Sequence, residues 1–296
     1  MSDYHHVTRR DFVRDGALGA LVLGAAASAP RPTWGEAAEG KSLVVIVRDE
    51  KVQGDDNKVD PTVLKKMLEE TVKAVTGESS GAAAWKKLVK PDDVVGLTPT
   101  AHLIKTHSEL VEAVTDAIVE AGVPADRIQN VQMKKDLAAK CTALIPLPAL
   151  KAHFLTGIGT VLKNFISLGE KKASTYHNPN SGALASIWLE PGLKGKTRIV
   201  IVDALRPLFA QGPQVTPQYQ WNYNGLMAST DPVALEVTAL QIIMAKRKAF
   251  KGEAWELNPP ALCVAAADKE YKLGTSDPAK ITLKIIGWEK DLLIQA

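Results

Sequence analysis

Arg198–Asp203 reads RIVIVD, four consecutive β-branched residues that end on a carboxylate. A strand that is apolar at every position, not at alternate ones, is buried on both faces, as in a sheet sandwiched between two layers of helix. Its terminal acid stands where open α/β sheets present ligand-binding groups. The same grammar recurs outward from this run. Leu43–Val47 (LVVIV) and Val94–Leu97 (VVGL) read as further buried strands, and Ile128–Met133, Thr142–Ile145, Leu262–Ala266 and Ile281–Ile286 complete the set.

Amphipathic helices lie between these runs. Pro61–Val75 repeats apolar residues at helical spacing, with Asp60 as N-cap, Pro61 in the first turn and an end near Gly77. A Gly, Ser and Ala stretch then reads as a loop up to Trp85. Ser108–Ala121 is a second helix closed by Gly122, and a third starts at Ser229-Thr230-Asp231-Pro232, where a carboxylate or hydroxyl, Asp231 foremost, caps the first turn before proline, and runs to about Lys246. The alternation predicts an α/β fold, a layered, mostly parallel sheet with helices on both faces, in a single domain over residues 41–296.

The first 27 residues read differently. Thr8-Arg9-Arg10-Asp11-Phe12 sets paired arginines before the uncharged Gly16–Ala27 segment, too short to span a bilayer and followed by Pro30 and Pro32. This order predicts a twin-arginine signal peptide over residues 1–27, cleaved after Ala27, with a linker over 28–40. It implies engagement of the twin-arginine translocase, export of folded protein to the periplasm or beyond, and no stable membrane anchor after cleavage.

A formal charge of +3, with no basic run interleaved by aromatics, argues against nucleic-acid binding. Cys141 and Cys263 are the only cysteines, so one chain holds no thiolate set for an iron–sulfur cluster or structural zinc. Either two buried thiols or one bridge fits them. A GxSxG elbow, a Walker loop and a full dinucleotide fingerprint are all missing.

The residues that follow the apolar runs carry the chemistry. Thr98, Thr100, His102 and His107 follow one strand, Lys151 and His153 a second, and Asp203 a third. Within Pro146–Leu168 (PLPALKAHFLTGIGTVLKNFISL) two prolines hold an extended approach, which sets Lys151 and His153 on one side of it. Gly157 and Gly159 then precede an expected helix bearing Lys163 and Asn164. Glycine-loop amides beside ammonium groups suit an anion. His102, His107, His153 and His177, all in expected loops or element ends, form a candidate metal set with Asp203, although none has HxH or HxxxH spacing.

PALKAH, TGIGTVLKNFISLG, RIVIVDAL and Ser229–Glu236 (STDPVALE) together resemble the family catalogued as domain of unknown function 362, over about Lys41–Lys251. The resemblance implies an α/β domain, often exported or joined to ferredoxin-like modules, with no settled reaction. It carries Lys151, His153, Lys163, Asn164, Asp203 and Asp231 over as site residues. Where the family commonly has a lysine and an asparagine after the second strand, this chain has Thr98 and Thr100.

The combined expectation is a cleft at the strand C-terminal ends that binds a small anionic ligand or a metal-bearing or redox cofactor. Lys151, Asn164, Asp203, Thr98 and Thr100 line it, with His153 as ligand or proton carrier and Lys163 neutralising negative charge. The alternative is a noncatalytic periplasmic binding or accessory protein that partners a redox enzyme.

Overall fold

The structure, a computed structural model, describes residues 36–37 and 40–295, so the expected leader lies outside the described residues. In chain order the strands and helices are β1 (Glu36–Ala37), β2 (Lys41–Arg48), α1 (Pro61–Thr76), α2 (Gly81–Leu88), β3 (Val95–Pro99), α3 (Ser108–Glu120), β4 (Ile128–Asn130), α4 (Lys135–Lys140), β5 (Ala143–Leu147), β6 (Ala149–His153), β7 (Gly157–Ile158), α5 (Leu184–Ile187), β8 (Val200–Leu208), β9 (Gly225–Ser229), α6 (Pro232–Lys251), α7 (Leu262–Lys269) and β10 (Ile281–Gly287).

β4, β3 and β5 form a parallel sheet. β10 and β2 are also parallel, β9 runs antiparallel between β2 and β8, and β6 lies parallel to β8. Leu144 bridges Thr197 in parallel, donating to Lys196 O at 2.8 Å and accepting from Arg198 N at 3.0 Å. That bridge stitches β5 to the chain entering β8 and joins the two sheets. Apart from β9 and the two-residue β1 and β7, every strand points the same way, as expected of a mostly parallel layer.

Successive side chains on the central strands enter opposite cores. Val44, Ile46, Val200 and Val202 pack with Val233, Leu235, Ile242 and Cys263 of α6 and α7. Val45, Val47, Ile199 and Ile201 pack with Leu64, Leu68 and Val72 of α1 and Ile118 of α3. Helices therefore cover both faces, which is why RIVIVD has no polar alternation. The expected caps are present: Asp60 Oδ1 accepts from Thr62 and Val63 amides, and Asp231 Oδ1 from Val233 and Ala234 amides.

Four local expectations are corrected. Leu262–Ala266 is the start of helix α7, because a helix here buries Cys263, Val264, Ala266 and Ala267 together against the core. The stretch before Trp85 is helix α2, N-capped by Ser80, whose Oγ accepts from Ala83 N at 3.2 Å. The expected helix bearing Lys163 is a set of turns and a 3-10 helix at Asn164–Ser167. Glu36–Ala37, placed in the expected linker, pairs antiparallel with β2. Both cysteines are buried free thiols. No helix among the described residues is long and apolar enough to cross a membrane.

Candidate anion-binding site

Strand β6 sends Leu150 and Ala152 into the core and leaves Lys151 and His153 on its other side. Lys151 is itself buried. Its backbone N donates to Thr160 Oγ1 at 3.1 Å and its Nζ to Ile104 O at 3.1 Å. The chain then doubles back through β7, where Gly159 N donates to Lys151 O at 3.0 Å. The amides of Val161 and Leu162 donate to the wholly buried carboxylate of Glu236 on α6, at 2.8 and 3.3 Å. One residue after Lys163, Asn164 is tied to the end of β3: Thr98 Oγ1 donates to its Oδ1 at 2.6 Å, and its Nδ2 donates to Thr98 O at 2.9 Å.

Lys163 is thus bracketed by two buried anchors. Its half-buried ammonium makes no hydrogen bond or ion pair among the described residues. The amides of the expected glycine cradle do not replace that role, since Gly159, Val161 and Leu162 spend theirs inside the protein. Side chains, not a backbone nest, are what an anion would meet here.

Two imidazoles complete the group. His153 Nδ1 accepts from Leu155 N at 3.1 Å, so the neutral ring carries its proton on Nε2. The His153 ring lies 5.7 Å from that of His177, whose Nε2 is buried without a hydrogen-bond partner. Burial, with the charge of Lys163, lowers Lys151 to about 7. Burial also brings His153 down to about 3, reinforced by Lys163, His177 and Lys151. Lys163 falls to about 8 through burial, and His177 falls through burial and the Lys163 charge. None of the four has a carboxylate ion-pair partner among the described residues. Glu236 is occupied by its two amides, and burial raises it to about 7 against their opposing effect.

Asp203 is not part of this group. Its Oδ2 accepts from His107 N at 2.7 Å and lies 2.8 Å from His107 Nδ1, while its Oδ1 accepts from Leu205 N at 3.1 Å. Register explains the separation: Asp203 is level with Ala149, and the pairing then shifts so that Lys151 is level with Leu208, five residues further along β8. Burial works to lower His107, but the hydrogen bond and charge of Asp203 outweigh it and the net shift is upward.

Thr98 and Thr100 are structural ties. Thr98 is fully buried on Asn164, and Thr100 Oγ1 accepts from Ala149 N at 3.0 Å. The loop between β3 and α3 is drawn over the sheet by Thr106 Oγ1, which donates to Leu147 O, and by the contacts of Ile104 and His107.

The histidines occupy three places instead of one. His153 and His177 are adjacent, His107 sits on Asp203, and exposed His102 places Nε2 3.0 Å from Met133 Sδ. Among the described residues no group of three or more His, Cys, Asp or Glu side chains converges in a way that could hold a metal ion. The expected four-histidine ligand set is therefore not assembled. Glu236, by contrast, belongs to the support of the site although it follows no apolar strand in the sequence. Its signal was present: a carboxylate between Leu235 and Val237 in an otherwise apolar helix start.

No curated protein and no solved structure matches the chain. A family model does match, over residues 57–241, which include β6, the Lys163 turn, Asp203 and Glu236; the chain belongs to the family described as Domain of unknown function (DUF362).

Proposed function

We propose that this protein is exported in folded form and binds a small anion at the cluster formed by Lys151, His153, Lys163 and His177. The carrying observation is the Lys163 ammonium, held in place by anchors on both sides yet without a partner of its own among the described residues. A half-buried cation beside a second lysine and two imidazoles lacks compensation, and an entering anion supplies it. The unpartnered His177 Nε2 and the Nε2 proton of His153 add polar contacts. Lys163 provides the charge, while Asn164 and Glu236 position it.

Calorimetric titration of the purified chain with sulfate, inorganic phosphate and acetate tests the reading. At least one anion is expected to bind, and Lys163→Gln to weaken it at least about tenfold, the loss of one charge-assisted contact, with an unchanged circular-dichroism spectrum. Absence of binding by all three, or equal binding by the variant, overturns it.

Export rests on the order of paired arginines, apolar run and small residues in the first 27 residues. Residues 1–40 fused to a reporter that crosses the membrane only when folded are expected to deliver it to the periplasm. Arg9→Lys with Arg10→Lys is expected to leave it in the cytoplasm. Delivery by the doubly substituted leader contradicts the twin-arginine assignment.

A further inference from the structure

His153 belongs to two environments at once. Its ring neighbours that of His177, and it also lines a cleft of about 220 Å³ whose walls include the apolar Phe154, Trp255 and Leu257 and the charged Arg247 and Glu256. The Phe154 ring lies almost parallel to that of His153, 6° apart in plane and 5.6 Å between centroids, and is 47% exposed.

The cleft is framed by contacts that look costly to replace. Buried Arg247 donates to Phe209 O at 3.0 Å, Trp255 O at 2.7 Å and Glu256 O at 2.8 Å, clamping two wall segments together while its guanidinium stacks 4.0 Å over the Trp255 ring. Phe154 N donates to Gly212 O at 2.7 Å, and a Cβ on Gly212 would overlap Ala152 O. Gly157, the strand partner of His153, has φ +76°, and a Cβ there would lie 2.7 Å from Ala261 N. Both close approaches need glycine. A preformed recess that shares His153 with the cationic group has the form ligand sites take.

We propose that the anion bound at Lys163 carries a planar apolar substituent, and that this substituent passes His153 and seats in the cleft against Phe154 and Trp255. The ligand class is an aryl or similarly flat apolar phosphate, sulfate or carboxylate, not a bare inorganic ion. This inference rests on the anion-binding reading and specifies its ligand. Stacking on the exposed Phe154 ring supplies the preference for a flat group, and the size of the recess limits that group to about one ring.

The test compares phenyl phosphate with inorganic phosphate by calorimetry on the native chain and on Phe154→Ala. Phe154 is exposed, so its truncation leaves the core untouched. Phenyl phosphate is expected to bind at least fivefold more tightly than inorganic phosphate. Phe154→Ala is expected to reduce that preference to under twofold, read as the ratio of the two affinities in the same variant. Equal affinities in the native chain, or a preference that survives Phe154→Ala, overturn the cleft assignment and leave the anion site standing. Failure of both ligands to bind overturns the anion reading and this inference with it.

Discussion

Glu236 shows how one buried residue shapes the site without touching a ligand. Its carboxylate holds the Val161 and Leu162 amides, and burial, only partly offset by those two bonds, raises it to about 7. With the folded value above the unfolded one, stability from this group is fully present below about 4.5 and is lost as pH rises through about 7. Glu236→Gln removes the ionisation. Urea unfolding of both proteins between pH 4.5 and 8.5 is expected to show that the native chain loses stability relative to the variant as pH rises. A pH-independent difference contradicts the assignment. His153 acts in the opposite sense: its folded value is depressed to about 3, so its contribution is present above the unfolded value and is lost as pH falls.

At the scale of elements, α6 depends on its cap. Asp231 Oδ1 accepts from the Val233 and Ala234 amides, and its Oδ2 accepts from Ser42 Oγ at 2.6 Å and Thr275 N at 3.0 Å. Loss of an ordinary N-cap costs about 0.5–2 kcal/mol, and the two tertiary bonds put Asp231→Ala at the upper end, about 2 kcal/mol. Urea denaturation measures it; a loss below about 0.5 kcal/mol means that the tertiary bonds contribute nothing.

Caps such as Asp60 and Asp231 were legible because their partners lie two or three residues along the chain. The turn around Lys163 was not, because Glu236, which shapes it, is 75 residues away from Val161. Leu262–Ala266 departs from the expected strand for a different reason. Five apolar residues fit a buried strand or a buried helix equally well, and only the packing of α7 decides between them. Gly157→Ala tests the hairpin that carries His153: positive φ and overlap with the backbone of residues 259–261 predict a loss of about 1–3 kcal/mol, read by thermal unfolding. An unchanged melting temperature means that this close approach does not hold the hairpin.

Across the whole molecule, the two cores account for what the sequence showed and what it hid. Strands apolar at every position can lie only between two helical layers, so the layered sheet followed directly from runs such as LVVIV and RIVIVD. The position of β9 as the antiparallel member between β2 and β8 had no local signal, since direction depends on which strands it joins. The site divides the same way. Lys151, His153, Lys163 and Asn164 lie within one short stretch that folds back on itself, and their proximity was readable. Asp203 looked equivalent because it ends an apolar run, but its register with Ala149 and its capture by His107 put it elsewhere. His177, which joins the group through its ring contact with His153, became a neighbour only in the folded chain.

The central claim is that Lys163, at about 8, is the charge that holds the anion. Sulfate keeps a constant charge across the relevant range, so its dissociation constant, followed calorimetrically from pH 6.5 to 9.5, reports the protein alone. The dissociation constant is expected to rise modestly as Lys151 loses its proton near 7, and then more steeply, towards tenfold per pH unit, above about 8, as binding comes to require protonation of Lys163. Lys163→Gln is expected to remove the steep limb above about 8 along with most of the affinity. A native dissociation constant that stays level to pH 9.5, or a Lys163→Gln curve that overlays it, contradicts the account.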